Sequence, residues 1–153
     1  MAQIASTFYR DGNGVPIWTD GIITKKAVTF SDTTGSGAIG TIDLFTVTGL
    51  LYAKVVGICG DDLVGAATLE VGVIGSTALC LAQIANATTL DVGEIYADAT
   101  AAKFKIVSDL IPPENLVTTA IFATVGSAAI TAGQVDFYCI WRPISSDANL
   151  VAA

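Results

Sequence analysis

The stretch Thr41–Gly60, TIDLFTVTGLLYAKVVGICG, decides how this chain is read. Val, Ile, Leu, Thr and aromatic residues dominate it, the types that fit a pleated, half-buried surface. It reads as two strands folded back on each other at Thr48-Gly49. With a two-residue loop, Val47 faces Leu50, Phe45 faces Tyr52 and Asp43 faces Lys54. An aromatic pair and an opposite-charge pair then share one face. Leu44–Ala53 and Ile42–Val55 make the other face, uncharged and turned to the core. Thr48 is the weak point, because a tight primed turn wants a positive φ that a β-branched residue resists. A three-residue loop ending at Gly49 is the alternative; it shifts the register by one and spoils both pairs.

Working outward, the same pattern recurs. Ile22–Phe30 alternates as a strand with Lys25 and Lys26 on opposite faces, and 31–37 is a loop. Ala67–Ile74 and Thr77–Ile84 read as a hairpin turning at Gly75-Ser76. Residues 86–93 mix turn and short strand, Glu94-Ile95-Tyr96 is a short strand, and 98–102 can make one helical turn. Lys103–Val107 alternates charge and bulk. Pro112-Pro113 breaks any regular element. Leu116–Val125 reads as one strand and Gly133–Pro143 as the last, with Val135, Phe137, Cys139 and Trp141 on one face. Residues 145–153 read as a short tail on the surface. About eight short strands with glycine-rich turns predict an all-β, single-domain antiparallel β-sandwich, jelly-roll-like, with a small closed barrel second. The domain spans 22–144, after an extended N-terminal arm at 1–21.

That arm holds turn chemistry at Arg10–Gly14 and a φ-restricting Pro16. It also holds Phe8, Tyr9, Ile17 and Trp18, too apolar for a plain disordered tail. Phe8, Tyr9, Arg10, Ile17 and Trp18 are therefore the candidate partner contacts, docking on the chain's own domain or on a neighbour. Asp11–Gly14 echoes the start of a calcium loop. The twelfth position is Ile22, not a carboxylate, so calcium is not expected there.

Composition removes whole classes of function. The 153 residues carry a net charge of −7, with seven scattered basic residues and no histidine. No basic stripe exists for nucleic acid. Without histidine the commonest general base and transition-metal ligand are missing. No Ser-x-x-Lys arrangement or phosphate-binding glycine loop replaces them, so no cofactor, metal site or enzyme is expected. Asp91, Glu94 and Asp98 form the densest acidic group and read as a solvated loop. Cys59, Cys80 and Cys139 lie in apolar runs and read as buried thiols; a disulfide between two of them, or across subunits, is the alternative. The chain is 52% hydrophobic with a mean hydropathy of +0.65. The uncharged runs 71–90 and 115–135 are broken too often for spanning helices, so no membrane is expected. The excess of apolar residues instead predicts a homo-oligomer, with a trimer favoured.

Three stretches carry a resemblance: Leu44–Cys59, Thr68–Gln83 and the ending Ile130–Ala153, with its order Phe-Tyr-x-x-Trp-Arg-Pro. In this order the chain resembles small virion structural proteins of tailed bacteriophages. The resemblance implies a decoration, or cement, protein bound to the major capsid protein on the capsid surface, assembled in the bacterial cytoplasm. It carries over no functional residues. The alternative is a tail- or fibre-associated binding module for host glycan, which exposed Trp18, or Tyr96 beside Asp98, would favour.

Overall fold

The computed structural model describes residues 21–103 and 114–153. They form ten strands: β1 (Ile22–Thr29), β2 (Gly40–Thr48), β3 (Leu51–Val64), β4 (Thr68–Val73), β5 (Ser76–Ile84), β6 (Ile95–Tyr96), β7 (Asn115–Val117), β8 (Ile121–Gly126), β9 (Ala132–Pro143) and β10 (Asn149–Ala152). A single 3-10 turn, Ala87–Thr89, is capped by Asn86. The first sheet runs β1-β9-β3-β6, with β7 also paired to β3; the second runs β10-β2-β8-β4-β5. Every ladder is antiparallel. The sheets pack on each other around one apolar core, so the expected all-β sandwich is the fold. These strand orders do not establish its jelly-roll refinement. Both runs considered as membrane spans are strands and turns, and no described helix is long and apolar enough to cross a membrane.

The central pair is β3 with β9, not β2 with β3. Small residues on β3 meet large ones on β9: Ala53 stands opposite Trp141 and Gly57 opposite Phe137. That matching lets Val135, Phe137, Cys139 and Trp141 all point inward, as their alternation predicts. The Trp141 indole N–H is satisfied by Thr24 Oγ1 at 3.0 Å.

The hairpin expected at Thr48-Gly49 does not form. β2 and β3 lie in different sheets, and the connection between them crosses the sandwich. Each strand has its own buried row, Ile42 and Leu44 on one side and Leu51, Ala53 and Val55 on the other. Facing these rows across the core removes both from water, whereas a hairpin would set them side by side. The corner is latched by the β9–β10 connection. The Leu50 N–H donates to Ser145 Oγ at 2.8 Å, and its carbonyl accepts from the N–H groups of Ile144 (2.9 Å) and Ser145 (3.0 Å). Gly49 sits at φ +66°, and a Cβ there would meet Ser145 Oγ at 2.5 Å. The pairs Phe45–Tyr52 and Asp43–Lys54 are therefore absent. Phe45 is fully buried beside Leu44 because a β-bulge between Asp43 and Phe45 breaks the alternation.

The stretch expected as a single strand at 116–125 also divides between the sheets. Leu116–Val125 is two strands, with β7 in the first sheet and β8 in the second. Residues 98–102 contain no helical turn; Ala102 instead makes an isolated bridge with Ile95. The ending 145–153 is no loose tail, because β10 pairs with β2 and buries Leu150. The β4–β5 hairpin forms as expected. Cys59, Cys80 and Cys139 are free and buried.

Candidate interaction face

The residues singled out in the arm, Phe8, Tyr9, Arg10, Ile17 and Trp18, lie outside the described residues, as does the Asp11–Gly14 turn. Most of the Lys103–Val107 pattern also lies outside them.

The acidic group is built into loops. Asp62 Oδ1 accepts from the Val92 N–H at 2.6 Å, Glu94 Oε2 from the Asp91 N–H at 3.1 Å, and Asp98 Oδ1 from the Thr100 N–H at 2.7 Å. Glu94 and Asp98 shape the turns that hold them, while Asp62, on β3, pins the 91–94 loop to that strand. Among the described residues no group of three or more Cys, Asp or Glu is arranged to hold a metal ion. Tyr96 is fully buried and cannot serve as a sugar platform beside Asp98. Its hydroxyl is used inside the sandwich, and burial, with the charge of Glu70 adding, raises it above the ordinary phenol range.

The two outer faces of the sandwich differ in chemistry. Alternation along β1, β3 and β9 turns Ile23, Lys25, Tyr52, Lys54, Tyr138, Ile140 and Arg142 outward on the first sheet. The outer face of the second sheet is built from Thr41, Asp43, Thr46, Glu70, Phe122 and Thr124. Registers align these residues into cross-strand rows: Arg142 beside Tyr52 beside Leu116, then Ile23 beside Ile140 beside Lys54, then Lys25 beside Tyr138 beside Val56. Ile23 is 63% exposed, Leu116 58% and Ile144, just past β9, 50%.

Charge on this face is organised by two carboxylates. Lys25 Nζ lies 2.6 Å from Asp136, and that hydrogen bond raises the lysine above its ordinary value. Glu114 takes Lys54 at 3.9 Å and Arg142 at 3.5 Å. Both lysine–aromatic and arginine–aromatic contacts occur: Lys25 Nζ is 5.6 Å from the centre of the Tyr138 ring and the Arg142 guanidinium 5.1 Å from that of Tyr52. A depression of ≈ 120 Å³ lined by Tyr52, Arg142, Pro143 and Ile144 lies at the end of the first row.

The alternation that points Val135, Phe137, Cys139 and Trp141 inward puts Asp136, Tyr138, Ile140 and Arg142 on the other face. Alternation alone does not give the Arg142–Tyr52 contact, because that contact requires β3 to pair with β9. The usable signal was the matching of small residues on β3 to large ones on β9. Core packing accounts for Trp141, while Tyr52 and Tyr138 lie on the outer face.

No protein-family model, curated protein or solved structure matches this chain.

Proposed function

We propose that this chain is a non-catalytic virion structural protein of a tailed bacteriophage, a decoration protein that binds the major capsid protein and stabilises the head. The observation that carries the reading is the outer face of the first sheet. Exposed Ile23 and Leu116 there flank Tyr, Ile and Arg side chains, the composition of a protein–protein contact rather than of a solvated sheet. The resemblance of Leu44–Cys59, Thr68–Gln83 and Ile130–Ala153 to phage virion proteins supplies the partner. The apolar interior buries no charged residue among those described, which suits a rigid module used in many copies.

In this reading the sheet face and the arm at 1–21 share the grip. Stable interfaces bury on the order of 1,200–2,000 Å² in total over the two partners, and an extended arm adds contact area with few residues. Phe8, Tyr9, Ile17 and Trp18 would add apolar anchors, and Arg10 would pair with capsid carboxylates. A homotrimer in the particle is the favoured assembly.

The test is co-sedimentation of the purified chain with undecorated heads of the phage that encodes it, beside a glycan array. Saturable binding to heads with no glycan hits supports the proposal. Glycan hits without head binding transfer the chain to the tail or fibre class.

A further inference from the structure

We infer that the Arg142 corner of the first sheet is a docking point for an acidic protein segment, one of whose carboxylates pairs with Arg142 and Lys54 while a neighbouring apolar side chain fills the depression. This deepens the assembly reading and rests on it for the identity of the partner.

Charge is the first argument. The chain carries −7 overall, yet three of its cations, Lys25, Lys54 and Arg142, stand on one sheet face. Lys25 is committed to Asp136 at 2.6 Å. Lys54 and Arg142 share the single carboxylate of Glu114, at 3.9 and 3.5 Å. Charge-assisted hydrogen bonds close to about 2.7–2.9 Å, so neither contact is tight. Among the described residues two cations stand against one anion here, a positive corner on a strongly negative protein. An incoming carboxylate meets attraction here and repulsion over most of the remaining surface.

Preorganisation is the second. Stacking on Tyr52 fixes the guanidinium 5.1 Å from the ring centre, so little side-chain freedom remains to be lost on binding. A guanidinium fork held this way favours a two-point contact with a carboxylate, and Lys54 reinforces it as a point charge.

The depression is the third. Tyr52, Pro143 and Ile144 give it an apolar wall directly beside the guanidinium. Its ≈ 120 Å³ is of the order of the ~150 Å³ cavity that accepts a benzene ring, so one branched or aromatic side chain fits. Arg and Tyr at the centre with aliphatic Leu116 and Ile144 at the rim is the composition of a binding hot spot.

The probe is a capped peptide of alternating leucine and glutamate, titrated into the isotope-labelled full chain and followed by NMR. Shifts should centre on Arg142, Tyr52 and Ile144, weaken with salt, and be absent for the same peptide with lysine in place of glutamate. Arg142→Gln should weaken binding about tenfold, Lys54→Gln by less, and Asp43→Lys on the opposite face not at all. Shifts centred elsewhere, no shifts, or equal binding by Arg142→Gln would overturn the inference. Co-sedimentation with heads separates the two readings. Peptide binding without head binding leaves the docking point standing and removes the assembly role. Head binding that survives Arg142→Glu, with no peptide shifts, does the reverse.

Discussion

The hydroxyl of Tyr96, on β6 of the first sheet, lies 2.9 Å from the carbonyl oxygen of Leu69, on β4 of the second. The carbonyl of Ala82 on β5 is 2.8 Å from the same hydroxyl, so one O–H serves both. The β4–β5 register shifts between Leu69 and Val71, and the phenol ties that irregular stretch to the opposite sheet.

Tyr96→Phe should therefore destabilise the fold although it removes one atom. Loss of the phenol's hydrogen bonding, which includes the Leu69 carbonyl inside the sandwich, should cost about 0.5–1.5 kcal/mol. Thermal unfolding should show a midpoint lowered by a few degrees. An unchanged midpoint would mean that the hydroxyl is dispensable.

Thr124→Val should act in the opposite direction. Thr124 stands between Thr41 and Glu70 in the second sheet, and its hydroxyl is buried with no hydrogen-bond partner. Valine keeps the β-branched shape and removes the unsatisfied group, a gain on the order of 1 kcal/mol. Urea unfolding midpoints of the two proteins measure it.

Two glycines hold the crossings and the hairpin. Gly49→Ala combines a positive φ with a clash against the Ser145–Ala148 corner. At Gly72 a Cβ would lie 2.1 Å from the Ser76 carbonyl oxygen, where β5 closes on β4. Gly93→Ala, which meets open space and carries the positive φ alone, should cost about 1 kcal/mol, and the two alanines that clash with backbone should each cost more. Chemical denaturation of the three variants gives the ranking; equal losses at all three would contradict it.

The cysteines predict a one-sided pH dependence. Burial pushes the Cys80 thiol up to about 12, and burial, with the nearby Asp62, Asp91 and Glu94 adding to it, pushes Cys59 up to about 11. In the unfolded chain a thiol ionises at its ordinary value of 9.0. Raised folded values mean that this contribution to stability is complete below that pH. It is lost as the pH climbs towards 11 and 12, because only the unfolded state then releases protons. Unfolding midpoints should fall above pH ~9, and thiol reagents at neutral pH should label the protein only after denaturation. Rapid labelling of the native protein would contradict the burial.

Strand content was legible in this sequence and strand pairing was not. The alternations in Ile22–Phe30, Thr68–Gln83 and Gly133–Pro143 report which side of each strand is buried, and periodicity carries that directly. Periodicity is silent on which strand lies alongside. In this chain the connections after β1, β2, β3, β5, β7, β8 and β9 all pass from one sheet to the other, and β4–β5 is the one described pair of consecutive strands that share a ladder. Two residues, Gly49 and Leu50, suffice for such a crossing because Ser145 and Ile144 saturate its backbone. Those partners lie about a hundred residues away and leave no local mark. The bulge that buries Leu44 and Phe45 together is hidden for the same reason, since a bulge is defined by its partner strand. The interaction face was half legible: Tyr138, Ile140 and Arg142 shared a predicted face, but their rows with Tyr52, Lys54 and Leu116 exist only through β3–β9 and β3–β7 pairing.

An image reconstruction of the phage head, compared with heads lacking this protein, tests the central claim most directly. The account predicts a β-sandwich at regular lattice positions on the outside of the capsid, touching the major capsid protein and absent from the deletion heads. Identical head maps, or density for the sandwich on the tail alone, would contradict it.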